Sequence, residues 1–177
     1  MKLLKPLLIL FCLISFNVFS QANVKEKQVK KDNITDLAIQ YMAAYSDWNV
    51  SKMKTFYSDS IHFNDPTAIE AFNSDYNVVG KEKVANKFKS VFPDIPPEYV
   101  SIRIKEHFKS GSFIIMNLTF ELILPKSWYG DAATGEIFVS VPMVTILKFK
   151  DLKIMSHQDY VDYDSYNKQI SYQLKSN

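Results

Sequence analysis

The chain has 177 residues, 47% hydrophobic and 14% aromatic, which suits one domain with a sizeable core or an apolar cavity. Its 21 Lys and Arg against 19 Asp and Glu leave a formal charge of only +2. That balance gives little general attraction to phosphate backbones, so nucleic acid is not an expected partner.

Residues 1–20 read as an export signal. Lys2 and Lys5 give a positive start, Leu7 to Phe19 is apolar but for Ser15 and Asn17, and Val18 and Ser20 suit the −3 and −1 positions of a cleavage site. A membrane anchor is the competing reading, but the run is shorter than the roughly 20 apolar residues a span needs. No stable anchor is therefore expected after cleavage, and the protein is expected in the periplasm or outside the cell. Loss of Lys2 and Lys5 takes Lys and Arg from 21 to 19, equal to the acids, so the mature chain is near neutral. The only cysteine, Cys12, leaves with the signal, which removes disulfide and thiolate chemistry.

Residues 21–33 form a polar leader whose Lys25, Lys27, Lys30 and Lys31 read as a solvated tether rather than a lipid-contacting patch. The domain spans 34–174. Ile34, Leu37, Ala38, Tyr41, Tyr45 and Trp48 recur at helical spacing after the capping residue Asn33, and Asn49 caps a second short helix. Ser60 to Asp65 is a strand stopped by Pro66. Residues 67–79 read as a loop with a helical turn. Gly80 opens a helix carrying Val84, Phe88 and Val91, which Pro93 ends.

From Tyr99 onward the period falls to two. Val100, Ile102 and Ile104 alternate with polar residues, and all even positions from Ile114 to Leu124 are apolar. Glu136 to Phe149 is another long strand, with Pro142 at a bulge or edge, and Lys150-Asp151 turns into the strand from Lys153 to Asp162. Ser165 to Leu174 closes the chain as a helix. Segregated helices and strands predict an α+β domain: a curved antiparallel sheet packed against about three N-terminal helices.

Three stretches carry a family resemblance. They are Asn49 to Pro66, ending in His62-Phe63-Asn64-Asp65-Pro66; Val79-Gly80-Lys81-Glu82-Lys83-Val84; and Lys153 to Asp162, with His157-Gln158-Asp159. In this order and spacing the chain resembles the SnoaL-like branch of the nuclear transport factor 2-like superfamily, a cystatin-like roll that includes polyketide cyclases, ketosteroid isomerases and limonene epoxide hydrolases. The resemblance implies a cone-shaped cavity between sheet and helices, often holding a carboxylate as acid or base.

On that basis Asp159 is the leading catalytic candidate and His62 its assistant. Asp159 shares a strand face with His157, and apolar surroundings would favour its neutral form and suit proton transfer; a structural aspartate is the alternative. His62 and Asn64 alternate onto one face of the first strand, where the epoxide-hydrolase pattern has Tyr and Asn; His62 as a satisfied, partly buried histidine is the alternative. The Arg and Asp of that pattern fall at Thr119 and Glu121, so the Arg is missing, which argues against the same water-activating triad. Glu121 is either a pocket acid or an ordinary surface residue. Tyr41, Trp48, Asn117 and His157 complete the expected pocket, and Trp128 and Tyr129 form its lid or anchor their loop. No metal-ligand spacing, cofactor motif or phosphate loop is present, so no metal or cofactor is expected. The expected partners are a small apolar ligand and a second copy of the chain, the latter covering an apolar sheet face. Three readings stand beside one another: acid–base chemistry on that ligand, non-catalytic capture of it, and a dimeric accessory module whose cavity is vestigial.

Overall fold

The computed structural model describes residues 33–92, 99–130 and 134–175. The expected export signal at 1–20 and nearly all of the expected leader lie outside the described residues.

Helix α1 (Asn33–Ser46) buries Ala38, Tyr41, Met42 and Tyr45, the three-and-four spacing of one helical face. A turn through Trp48 at φ 49° leads into α2 (Val50–Phe56), whose first turn is capped by Asn49 accepting from the Lys52 amide at 3.0 Å. Strand β1 (Tyr57–Asn64) follows directly, then the single-turn helix α3 (Ala68–Phe72) and the short strand β2 (Asn77–Val79). Helix α4 (Lys81–Val91) starts after Gly80, whose φ of 103° suits glycine alone. Four long strands come next: β3 (Tyr99–Ser110), β4 (Phe113–Pro125), β5 (Glu136–Lys150) and β6 (Lys153–Val161). Helix α5 (Tyr163–Lys175) ends the described chain.

The strand order is β2-β1-β6-β5-β4-β3. Strands β3 to β6 form an antiparallel meander, joined at Gly111 (φ 58°) and at Asp151-Leu152, both left-handed, as a two-residue hairpin requires. The sheet is mixed rather than wholly antiparallel, because β1 runs parallel to β6. No hairpin joins those two strands; β2 to β5 lie between them in sequence, and nothing forces them to run opposite ways. Among the described residues four helices, not three, precede the long strands, because part of 67–79 closes into α3.

Alternation decides which side chains reach the interior. On β4 the even positions Ile114, Met116, Leu118, Leu122 and Leu124 are buried, facing the odd positions of β5 and the helices. Helices therefore cover the even face; the face left open is the odd one, which carries Phe113 and Ile115. Beyond Met143, strand β5 outlasts β6, and α5 runs along its free edge. There the Gln169 amide accepts from Ser140 N and donates to Ser140 O, both at 2.9 Å. Gln173 does the same for Phe138, at 3.0 and 2.7 Å. Residues four apart on a helix rise about 6 Å, close to the roughly 6.7 Å between alternate strand residues, so one helix face satisfies successive edge groups. Pro142 sits where this edge begins: its carbonyl accepts from Asp162 N, so its missing N–H falls on the side where β6 has ended.

Candidate functional site

Two polar clusters lie on the helix side of the sheet. The first is sealed. His157 and Asp159 alternate inward from β6, opposite Leu147 and Thr145 of β5, and are 0% and 1% exposed. Asp159 Oδ1 accepts from His157 Nε2 at 2.9 Å and from Thr145 Oγ1, and Oδ2 accepts from the Tyr45 hydroxyl at 2.9 Å. An ionised carboxylate only accepts, so the imidazole proton sits on Nε2. His157 Nδ1 lies 2.7 Å from the Tyr41 hydroxyl, and Tyr57 completes the chain at 3.1 Å from Tyr41. Burial raises the Tyr41 and Tyr45 hydroxyls well above the usual tyrosine range, so both stay protonated donors. Every member is satisfied, which makes the cluster rigid.

The second cluster opens into a cavity of about 240 Å³ between β1, β6, α4, α5 and the turn after β4. Eleven of the seventeen described residues lining it are aromatic, and they come from nearly every element around it. One carboxylate, Asp65, is among them. It has the parity of Ile61 and Phe63, which β1 turns inward, and it is 4% exposed. Oδ1 accepts from the amides of Thr67 and Ala68 at 3.0 and 3.1 Å and from the Thr67 hydroxyl at 2.5 Å. Oδ2 accepts from Tyr163 at 2.8 Å. Burial raises the Asp65 pKa, against the pull of the Thr67 and Tyr163 hydrogen bonds. Burial also pushes the Tyr163 hydroxyl far above its ordinary range, so it remains a donor. Lys87 stands at the wall with its Nζ 3.8 Å from the Tyr76 ring centroid, bonded to Ser74 Oγ at 3.4 Å.

Of the residues singled out from sequence, Trp48 lines the cavity. Asp159, His157 and Tyr41 belong to the sealed cluster, with Tyr45 linking Asp159 to the cavity wall. His62 and Asn64 do not face it: they have the opposite parity to Phe63, and His62 Nε2 bonds Asn77 of β2 at 2.6 Å. Asn117, Thr119 and Glu121 also point away, on the odd face of β4. There Asn117 donates to Glu106 at 3.1 Å and Glu121 pairs with Arg103, a residue of the neighbouring strand opposite Thr119. Trp128 lines the cavity with its ring 6.0 Å from Phe92, while Tyr129 meets the Tyr166 hydroxyl at 3.3 Å. Sequence reasoning missed Asp65 and Tyr163. The signal for Asp65 was its parity with two apolar residues of β1; nothing local marked Tyr163.

A mixed six-stranded sheet with helices on one face and an aromatic cavity beneath them defines a nuclear transport factor 2-like domain. A sequence model of the SnoaL-like polyketide cyclases matches residues 35–170, and the chain belongs to that family. Solved structures agree. A protein described as a SnoaL-like polyketide cyclase from Shewanella putrefaciens CN-32 superposes with a TM-score of 0.67 at 21% identity, over 81% of this chain and 99% of that one. A second so described, from Shewanella denitrificans OS-217, gives 0.68 at 20% identity, over 80% and 99%. An LEH-like epoxide hydrolase from M. tuberculosis gives 0.60 at 12%, over 81% and 93%. At these identities the likeness is one of fold. A search of curated proteins found no match.

Proposed function

We propose that this is an exported domain whose cavity takes a small, largely apolar molecule and transfers a proton to or from it. Asp65 is the group that meets the ligand. One observation carries the reading: a single carboxylate among the described lining residues, set in walls that are otherwise mostly aromatic. Three hydrogen bonds fix Oδ1, which leaves Oδ2, held by Tyr163, as the oxygen for proton exchange. A carboxylate raised toward neutrality by burial exchanges protons more readily near physiological pH. Asp159 then acts one residue back, holding the Tyr45 hydroxyl at the cavity wall.

The test is a screen of small ring compounds for turnover by wild type, Asp65→Asn and Asp159→Asn. General acid–base catalysis contributes about 10²- to 10⁴-fold, so Asp65→Asn should lose turnover by about that factor while still binding. Undiminished turnover in Asp65→Asn removes the catalytic role. Non-catalytic capture of the same kind of ligand has support of its own: the most elaborate polar cluster, around Asp159, is closed to the cavity. Binding without turnover by any protein in the screen favours that second reading. Export is tested by intact mass of the protein expressed with its N-terminus, where processing after Ser20 is expected.

We also propose a homodimer through the open sheet face, where Phe108 is 58% exposed and Phe113, Ile115, Val144 and Tyr160 between 37% and 39%.

A further inference from the structure

We infer that the ligand of the cavity carries a positive charge, as an alkylammonium group packed against the rings and facing Asp65. The assignment rests on the cavity being the ligand site, as proposed above, and adds the ligand's chemical class.

Three features of the wall lead to it. The first is the rings themselves. Aromatic faces are the negative ends of a quadrupole and attract cations within about 6 Å, tryptophan most strongly. Trp48 and Trp128 both line this cavity. The second is the charge of the interior. Asp65 is buried and forms no ion pair with a described residue; its partners are two amides and two hydroxyls. A carboxylate in an apolar wall is stabilised most by a cation brought to it, because buried charges need partners. The third is hydrogen-bond polarity. Tyr163 donates its O–H to Asp65, Tyr45 donates to Asp159, and the Trp48 Nε1–H donates to the Phe88 carbonyl at 3.2 Å. What Tyr45 and Tyr163 have left to offer are lone pairs. A ligand lying against them must bring positive charge or hydrogen-bond donors of its own.

Lys87 is the one cation on the described wall, and it is turned to Ser74 and the Tyr76 ring rather than to Asp65. Its ammonium on a lining ring is an instance of the interaction proposed for the ligand. It also provides a control of opposite sign.

The experiment uses choline and 3,3-dimethyl-1-butanol, which share a shape and differ in charge, titrated into the protein. Trp48 and Trp128 are the chain's only tryptophans, so intrinsic fluorescence reads the cavity, with calorimetry as a second measure. Choline should bind at least tenfold tighter than the alcohol. Asp65→Asn keeps the oxygen that accepts from Thr67 and Ala68, and should reduce that preference severalfold. Lys87→Gln should tighten choline binding. Equal affinity for the two probes overturns the cation assignment and leaves the small-molecule cavity standing. Opposite shifts, with Lys87→Gln weakening and Asp65→Asn strengthening choline binding, overturn it too. Binding of neither probe to folded wild type overturns both the assignment and the cavity reading beneath it.

Discussion

The Tyr163 hydroxyl, on the first turn of the closing helix, donates to Oδ2 of Asp65 just past the first strand, at 2.8 Å. The carboxylate is thus held by opposite ends of the domain, and its burial has a consequence for stability. Asp65 takes a proton more readily folded than unfolded, because burial raises its pKa above the ordinary 3.8. Between the unfolded and folded values the native state binds more proton, so stability falls as pH rises through that window. Asp65→Asn removes this cost. The melting temperature of the variant relative to wild type should rise with pH above about 4 and level off once Asp65 is ionised in both states. A difference that is flat with pH would mean the carboxylate is not desolvated.

Asp159→Ala leaves Tyr45, Thr145 and His157 without the acceptor they share. Orphaned buried donors cost about 1–3 kcal/mol each, so this variant should lose about 3 kcal/mol or more in denaturant unfolding. Tyr45→Phe removes one bond at the cavity wall and should lose about 1 kcal/mol. Similar losses from the two would show that the bonds from Thr145 and His157 add nothing to stability beyond that of Tyr45.

The double variant Gln169→Ala/Gln173→Ala uncovers the N–H and C=O of Phe138 and Ser140 on the free edge of β5. Hydrogen exchange at those two amides should accelerate more than at the β4–β5 ladder, and the protein should become more prone to aggregate, as exposed edges are. Unchanged protection at Phe138 and Ser140 would show that solvent never reached that edge.

Ile115 and Ile146 are directly paired across β4 and β5, with Ile115 37% exposed on the open face. Ile115→Lys places a charge in the proposed dimer contact. Sedimentation should show wild type as a dimer and the variant as a folded monomer whose melting temperature no longer depends on protein concentration. A monomeric wild type at tens of micromolar removes the dimer.

Periodicity carried most of the fold. The alternation of Ile114 to Leu124 placed β4 and its buried face, and the spacing from Ala38 to Tyr45 placed α1, because both patterns record one-sided burial. The parallel pairing of β1 with β6 left no such mark, since it depends on where two distant strands dock. At the site, the inward course of His157 and Asp159 followed from strand parity, whereas their isolation from the cavity follows from the bulk of Tyr45, Tyr41 and Thr145 around them. His62, Asn64, Thr119 and Glu121 carried the right chemistry on the wrong parity. Asp65 had the parity of Phe63, and its proline neighbour drew attention to where the strand ends rather than to where the carboxylate points.

The glutamine pair on α5 also bears on the order in which the domain is made. A ribosome delivers all six strands before it delivers Gln169 and Gln173, so the nascent sheet is complete yet still able to template a neighbour's strand until that helix emerges and docks. Translational pausing or premature termination between β6 and α5 would leave its most adhesive intermediate, the point at which a holdase chaperone would protect it best.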